Sequence, residues 1–271
     1  MKVPQAGAVA AVIALTLATS GCSGDDGAKG TLSIGIKFDQ PGIGMREPDG
    51  SFTGFDVDVA TYVAKQLGYK PDQIEFKQVY SNDRELLIQY NEVEFVVASY
   101  SISDKRKEKV DFAGPYFVAH QDLLVRADDT TINKAEDLNS KRLCSVSGST
   151  SAENVKKNLA PKAGVLELPS YSECLVALRG NLVDAMTTDN SILAGYAARK
   201  GNEGKFKLTG HSLSNENYGI GIKKGNKELQ TKINAALKKM VADGSWEAAV
   251  QKNFGPAGFK YEPAPQITSG S

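Results

Sequence analysis

Hydrophobic side chains recur along the chain at two different spacings. Starting at Leu32 they recur at every second position, at Leu32, Ile34, Ile36 and Phe38. Further on they recur at every fourth position, at Phe55, Val59, Val63 and Leu67. The first spacing is typical of a strand with one buried face, and the second forms one apolar face of a helix. The pattern therefore predicts a strand over 32–38 and a helix over 55–67.

The same two spacings continue to the end of the chain. They predict further strands at 74–80, 95–99, 123–125, 143–146, 165–168, 185–187 and 218–222. They predict further helices at 84–90, 134–138, 152–159, 173–178, 190–199, 227–242 and 246–253. Alternating strands and helices favour an α/β fold with parallel sheets between layers of helices, in one large domain or two smaller ones. The tail from Gly255 is rich in proline and glycine, so we expect it to be loose.

Residues 1–30 differ from the rest of the chain. Lys2 is followed by an apolar run over 6–18 and then by Thr19-Ser20-Gly21-Cys22. Such a run is typical of an export signal and is too short for a membrane-spanning helix. We predict a signal peptide over 1–21 and a flexible polar tether over 22–30. The residues before Cys22 resemble a bacterial lipobox, which implies acylation of Cys22 and anchoring to the outer face of the cell membrane; the alternative is a secretory signal with a chance cysteine.

Composition narrows the classes of function. Hydrophobic residues make up 41% of the chain and charged residues 24%, as in an ordinary globular protein. Basic and acidic residues number 32 each, so the net charge is zero and no nucleic acid partner is expected. With three cysteines and two histidines, we expect no metal site, no thiol nucleophile and no cofactor. Outside the membrane, Cys144 and Cys174 either form a disulfide or remain as buried thiols.

Three stretches carry the strongest signal for function. They are Gly54-Phe55-Asp56-Val57-Asp58, the segment 97–106 with its continuation to Tyr116, and Ser145-Val146-Ser147-Gly148-Ser149-Thr150. In this order and spacing they resemble the polar amino acid group of bacterial solute-binding proteins, family 3, over about 31–254. The stretches 37–44, 143–150 and 218–224 also resemble the glutamate-binding lipoproteins of actinobacterial uptake systems. In that subgroup the two cysteines look paired.

The resemblance implies a fold that the periodicity leaves open. It implies a two-lobed, periplasmic-binding-protein-like fold of type II, with the ligand in the cleft between the lobes. Lobe 1 would comprise 31–122 and 217–271, lobe 2 would comprise 123–216, and the crossings would fall near 121–126 and 215–219. The implied function is a monomeric binding subunit that closes on a free amino acid by hinge motion and delivers it to the permease subunits of an ABC importer.

Six residues are candidates for binding the head group of an amino acid. Four match family positions: Arg106 for the carboxylate, Ser99 and Ser101 for hydroxyl and main-chain contacts, and Asp189 for the ammonium group. Ser149 and Thr150 precede a predicted helix, whose N-terminus favours an anion, so we expect them to meet the same carboxylate from lobe 2. A planar guanidinium suits a carboxylate because two parallel hydrogen bonds fix its orientation. Without the motif, Arg106 would be interpreted as a solvated residue of a basic run. Ser149, Thr150 and Asp189 also suit helix N-caps, a role that can coexist with ligand binding.

Two cations match positions that face the side chain of the ligand. Lys37 sits at the end of the first predicted strand, and Arg84 matches an arginine typical of glutamate and aspartate binders. Two cations converging on one cleft repel each other unless an anion joins them. The resemblance therefore implies an acidic amino acid, with glutamate preferred. Weaker candidates are Phe38, Arg46, Tyr171 and Thr188; core roles suit Phe38 and Tyr171 equally well, and a surface loop suits Arg46.

Two alternatives stay open. Aspartate, glutamine or asparagine could replace glutamate in the same class of protein, since a single methylene distinguishes ligands weakly. The same fold also occurs in dehydratases, which need a general acid opposite the leaving group. The cleft motifs offer no isolated glutamate or histidine for that role, so we do not expect an enzyme.

Overall fold

The computed structural model describes Met1 and residues 30–268. The strands are β1 (Leu32–Ile36), β2 (Asp39–Gln40), β3 (Gly44–Arg46), β4 (Phe52–Thr53), β5 (Ile74–Gln78), β6 (Phe95–Val97), β7 (Val110–Arg126), β8 (Arg142–Val146), β9 (Gly164–Leu168), β10 (Ala185–Asp189), β11 (Phe206–Leu208) and β12 (Asn215–Lys223). The helices are α1 (Phe55–Gln66), α2 (Arg84–Gln89), α3 (Asp104–Lys107), α4 (Thr150–Asn154), α5 (Tyr171–Arg179), α6 (Asn190–Ala198), α7 (Lys227–Ala242) and α8 (Ser245–Phe254). Cys22, the tether to residue 29 and, apart from Met1, the predicted signal peptide lie outside the described residues.

Two α/β lobes share one long strand. Hydrogen-bonded neighbours follow the order β5-β1-β6-β12-β7-β10-β8-β9, with β11 on β7 and a small separate sheet β2-β3-β4. The first part of β7 pairs with β12, and its last part pairs with β10 and β11. We call the half built on β1, β5, β6 and β12 lobe 1, and the half built on β8, β9, β10 and β11 lobe 2. The exact lobe boundaries given above stay predictions.

The same helix–turn–strand unit occurs once in each lobe, 90 residues apart. In lobe 1, α2 ends in a turn at Asn91 and leads into β6; in lobe 2, α5 ends in a turn at Asn181 and leads into β10. The two asparagines have φ values of 58° and 59°, in the left-handed region that asparagine tolerates. Each unit delivers the carboxyl end of its strand to the boundary between the lobes, where ligand sites of α/β sheets form.

An aromatic cluster around Phe55 forms the centre of lobe 1. The Phe55 ring lies 5.2 Å from Phe117 and 5.5 Å from Phe254, and its edge meets Trp246 at 6.1 Å. These rings come from α1, β7 and α8, so the cluster joins elements that are far apart in sequence. It fixes the position at which α1 begins.

Several predicted elements differ from the observed ones. The helix at 227–242 is confirmed, but the strand predicted at 123–125 is only the end of the 17-residue β7. The helix predicted near 134–138 is a 3-10 helix at Ala135–Ser140, and the helix at 152–159 divides into α4 and a π-turn at Val155–Leu159. Within residues 30–268 no helix is long and apolar enough to span a membrane.

The tail over residues 255–268 is packed rather than loose, which corrects the prediction from composition for these residues. Phe259, Tyr261 and Ile267 pack against the lobe 1 core, and the Thr268 N–H donates to the Gly114 carbonyl at 3.1 Å. Proline and glycine set the local turns of this segment, but its aromatic and aliphatic side chains bury apolar surface on the aromatic cluster.

Candidate functional site

A narrow cavity lies between the two lobes. Its lining comprises Ser81, Arg84, Ser99, Ser101 and Arg106 from lobe 1, and Ser149, Thr150, Tyr171, Asp189 and Ile192 from lobe 2. Seven of the eight principal residues predicted from the sequence are in this lining; the eighth, Lys37, lies behind it. Because the lining is mostly polar and charged, the cavity suits a small zwitterion better than an apolar ligand.

The Arg106 guanidinium bridges the two lobes. It projects from α3, which Ser103 caps by accepting from the Arg106 N–H at 3.4 Å. Nη1 donates to the Ser101 carbonyl at 2.7 Å, and Nη2 donates to the Gly148 carbonyl of lobe 2 at 2.9 Å. The motif-based interpretation of Arg106 as a buried site residue therefore agrees with its placement, whereas a solvated arginine would be exposed.

Arg84 lies beside Arg106 on the same aromatic ring. The Arg84 and Arg106 guanidinium carbons lie 4.0 Å and 5.0 Å from the centroid of the Tyr100 ring, within cation–π distance. Arg84 is 2% exposed and donates to the Ser81 carbonyl at 3.1 Å and the Ala98 carbonyl at 3.0 Å. Burial, with the neighbouring Arg106 as the next cause, lowers the pKa of Arg84 to about 10. The cavity wall thus carries two cations in contact with one ring.

Lys37 adds a third cation immediately behind the wall. It follows β1, is 3% exposed, and donates from Nζ to the Ser81 hydroxyl at 2.8 Å. Burial is the largest cause that lowers the pKa of Lys37, to about 7, and the charge of Arg84 is the next. Ser81 therefore connects Lys37 to the cavity. The sequence offered no signal for Ser81, since a lone serine in a loop has many ordinary roles.

Asp189 is the carboxyl group of the cavity lining. It ends β10 at the N-cap position of α6, where its side chain makes no capping hydrogen bond, and instead accepts from the Tyr218 hydroxyl. Burial first, and then the charge of Glu216, raise the pKa of Asp189 to about 8. A ligand ammonium group would offset both effects, because an adjacent positive charge favours the ionised carboxylate.

Lobe 2 closes the cavity with hydroxyl groups. Ser149 caps α4 by accepting from the Ala152 N–H at 3.1 Å, so it combines the capping role with a place in the cavity wall. The Thr150 hydroxyl donates to Glu216 at 2.8 Å. Tyr171 lines the cavity and hydrogen-bonds with Thr188, which is itself buried behind it.

Two of the weaker candidates are not among the residues that line the cavity. Phe38 packs edge-on against Tyr80, with 5.0 Å between ring centroids. Arg46 is exposed on β3 and borders a surface hollow together with Arg199. These placements agree with the alternative roles given above, packing for Phe38 and a surface loop for Arg46, and contact of Phe38 with the ligand stays a prediction.

A second set of contacts joins the lobes beside the cavity. The Asp39 carboxylate of lobe 1 accepts from the Ser172 N–H and the Tyr196 hydroxyl of lobe 2, both at 3.1 Å. The same tyrosine hydroxyl also contacts the Asp39 carbonyl. At Gly195 an added Cβ would lie 2.1 Å from the Pro41 carbonyl, so only glycine allows this close approach. We call this set the Asp39 latch.

A disulfide supports the lobe 2 half of the site. Cys144 on β8 and Cys174 on α5 are bonded, with Cα atoms 5.5 Å apart and 30 residues of separation. Closing a loop of this size stabilises a fold by about 3–4 kcal/mol in the chain-entropy model. The bond ties together the two elements whose ends supply Ser149 and Tyr171 to the cavity.

The fold and the site together define a class of protein: two hinged lobes that enclose a cavity with one cationic side, one carboxylate and several hydroxyl groups. The chain belongs to the bacterial extracellular solute-binding proteins, family 3, whose family pattern matches residues 32–256. Membership implies an amino acid ligand, an ABC permease as partner and a place of action outside the cytoplasm.

The relatives bind different amino acids. Glutamate-binding protein GluB of Corynebacterium efficiens is 45% identical over 91% of this chain and 88% of its own. The ABC transporter glutamine-binding protein GlnH of Bacillus subtilis is 38% identical over 82% of this chain and 80% of its own. Among solved structures, an ancestral arginine-binding protein bound to arginine is similar with a TM-score of 0.78, at 36% identity over 84% of this chain and 99% of that one.

Proposed function

We propose that this protein captures a free acidic amino acid, preferentially glutamate, and delivers it to an ABC permease. One observation carries the proposal. When Arg106 binds the ligand carboxylate and Asp189 binds the ammonium group, Arg84 and Lys37 remain. Within residues 30–268 neither of them forms an ion pair with a carboxylate; their hydrogen bonds go to carbonyls and to a hydroxyl. A second carboxylate on the ligand supplies the missing negative charge.

The charge argument separates glutamate from glutamine. A hydrogen bond to a charged group contributes about 1.5–3 kcal/mol, and an amide offers one neutral acceptor where a carboxylate offers two charged ones. A ligand without the second carboxylate therefore leaves two buried cations underpaired, which disfavours it. The likeness to GluB supports this choice, whereas the likeness to GlnH makes glutamine the second candidate.

The remaining parts of the proposal concern catalysis, assembly and location. We propose that the protein binds its ligand without catalysis, because the carboxylate of the cavity is already matched to the ligand ammonium group. We also propose that it acts as a monomer. One similar solved structure, the ancestral amino acid-binding protein AncCDT-1, is a precursor of cyclohexadienyl dehydratase; it is 32% identical, with a TM-score of 0.74.

We also propose that the protein is anchored to the membrane through acylated Cys22. Mass spectrometry of the membrane fraction should find the acyl group, and an unmodified secreted chain would contradict the anchor.

Three arginine variants test the assignment of the cavity. Arg106→Gln should raise the Kd of every amino acid by about a hundredfold, because it removes the group that binds the shared carboxylate. Arg84→Gln should raise the Kd of glutamate by about tenfold and that of glutamine by less than threefold. Arg46→Gln is the matched control on the surface and should change neither the Kd of glutamate nor that of glutamine. Equal losses for both ligands in Arg84→Gln would contradict the side-chain assignment.

A further inference from the structure

The motif Gly54-Phe55-Asp56 helps to identify the family, yet none of its side chains lines the cavity. Its first two residues determine where α1 begins. Gly54 has φ 124°, and an added Cβ would lie 2.3 Å from the Ile43 carbonyl, so only glycine fits. Phe55 inserts into the aromatic cluster. Together they place Asp56 in the first turn of α1, pointing into the protein rather than into solvent.

Both carboxylate oxygens of Asp56 accept hydrogen bonds inside lobe 1. Oδ2 accepts from the Ser99 main-chain N–H at 2.7 Å, and Oδ1 accepts from the Tyr116 hydroxyl at 2.7 Å. Asp56 is completely buried. Burial raises its pKa to about 6, while the bonds from Tyr116 and Ser99 oppose that rise, so the group is ionised at neutral pH. A charged side chain at such a depth needs a structural or functional reason.

Ser99, the residue that Asp56 holds, has an unusual backbone conformation. Its φ is 42°, in the left-handed region that residues other than glycine, asparagine and aspartate seldom adopt. Such a conformation persists only where the surroundings impose it. The Ser99 hydroxyl is also fixed, since it donates to Gln40 at 3.0 Å. Its backbone N–H is held by the hydrogen bond to the buried Asp56 carboxylate.

Residues 98–101, which we call the binding segment, touch both arginines of the cavity. The Ala98 carbonyl accepts from Arg84, and the Ser101 carbonyl accepts from Arg106. The Tyr100 ring lies under both guanidinium groups. The course of the binding segment therefore decides where both cations lie relative to a ligand, and Ser99 is the residue at which that course turns.

We infer that Asp56 is a positioning residue of the amino acid site: it holds Ser99 in its left-handed conformation and, through the binding segment, fixes Arg84 and Arg106. The inference rests on the proposed cavity but not on which amino acid occupies it. It gives the whole motif a role: Gly54 and Phe55 position the carboxylate of Asp56, and this carboxylate holds Ser99. Asp56 does not touch the ligand, so it should affect the affinity for every ligand alike.

A double-mutant cycle with Ser99→Gly tests this role, because glycine adopts a positive φ without strain. Calorimetry on the purified full-length chain would measure the Kd of L-glutamate and of L-glutamine. Asp56→Ala should raise both Kd values by about tenfold when Ser99 is present. In the Ser99→Gly background the same change should raise them by less than threefold. Tyr116→Phe removes the other hydrogen bond to the same carboxylate and should change the Kd by less than threefold.

The outcomes separate positioning from general stability. Equal effects of Asp56→Ala in the two backgrounds, or an equal effect of Tyr116→Phe, would overturn the inference, because either result indicates loss of core packing alone. Should Asp56→Ala not fold, Asp56→Asn keeps the shape and one acceptor oxygen; it should raise Kd by about threefold, and again only with Ser99 present. If the parent chain binds glutamine and not glutamate, the proposed ligand fails while the cycle still tests Asp56 with glutamine.

Discussion

Lys37 and Asp189 are a basic and an acidic group on opposite sides of the cavity, and burial shifts both pKa values toward neutrality. The pKa of Lys37 is lowered to about 7, and that of Asp189 is raised to about 8. In the proposed binding mode every amino acid presents an ammonium group to Asp189, but only an acidic one presents a second carboxylate to Lys37. The two groups therefore respond differently to pH when two ligands are compared.

The preference for glutamate over glutamine should fall as the pH rises above 7. A bound carboxylate raises the pKa of Lys37, so its contribution is fully present below pH 7 and is lost as the pH rises through the higher, bound-state pKa. The contribution of Asp189 cancels in the ratio of the two Kd values. Between about pH 6.5 and about pH 8.5, calorimetry should show a roughly tenfold decrease in the Kd of glutamine divided by the Kd of glutamate. The Lys37→Met variant is the control, in which the ratio should not depend on pH; a flat ratio in the unmodified chain would contradict the role of Lys37.

Sequence predicts the charged residues of the site better than the residues that hold them. Arg106 and Asp189 each stand within a local motif, so their roles follow from a short stretch. Asp56, Ser81 and Tyr100 act through contacts with other segments; Asp56 binds a residue 43 positions away. Such long-range pairs have no local signature, and only the folded chain reveals them.

The Asp39 latch acts at the scale of elements, because it joins β2 of lobe 1 to α5 and α6 of lobe 2. Its hydrogen bonds join the two lobes, so separation of the lobes would break them, and they involve no cavity-lining residue. Interactions present in one state alone shift the population toward that state. The latch should therefore strengthen the binding of every ligand without influencing the choice between ligands.

Tyr196→Phe removes the latch hydroxyl and keeps the ring. A net loss of about 1 kcal/mol should raise the Kd of glutamate and of glutamine by the same factor, roughly fivefold. Calorimetry with both ligands checks this. Tyr90→Phe, an exposed tyrosine, is the matched control and should leave both Kd values unchanged. A variant that alters the ratio of the two Kd values would assign Tyr196 to the ligand site instead.

The elements also mark where periodicity succeeds and fails. The helix at 227–242 has a regular apolar face and was predicted to the residue. The 17-residue β7 was predicted only at its end, because Gly114 and Pro115 interrupt its pattern. The tail after residue 254 was expected to be loose, yet its aromatic side chains contact the lobe 1 core. In both cases tertiary packing overrides a local signal.

At the scale of the whole molecule, two copies of one helix–turn–strand unit face each other across a hinge. One copy leads to Ser99 and the other to Asp189, so equivalent strand ends supply opposite sides of the site. We propose that affinity depends on three features: the cavity charges, the support of Asp56 and the Asp39 latch. Only the first distinguishes one amino acid from another, which is why the choice of ligand is the central claim.

Calorimetric titration of the purified chain with L-glutamate and with L-glutamine at neutral pH tests that claim most directly. Because Arg84 and Lys37 have no carboxylate partner within residues 30–268, the second carboxylate of glutamate should lower its Kd at least about tenfold below that of glutamine. Glutamine binding as tightly as glutamate, or more tightly, would contradict the account, since an uncharged side chain would then satisfy a pocket that carries two unpaired cations.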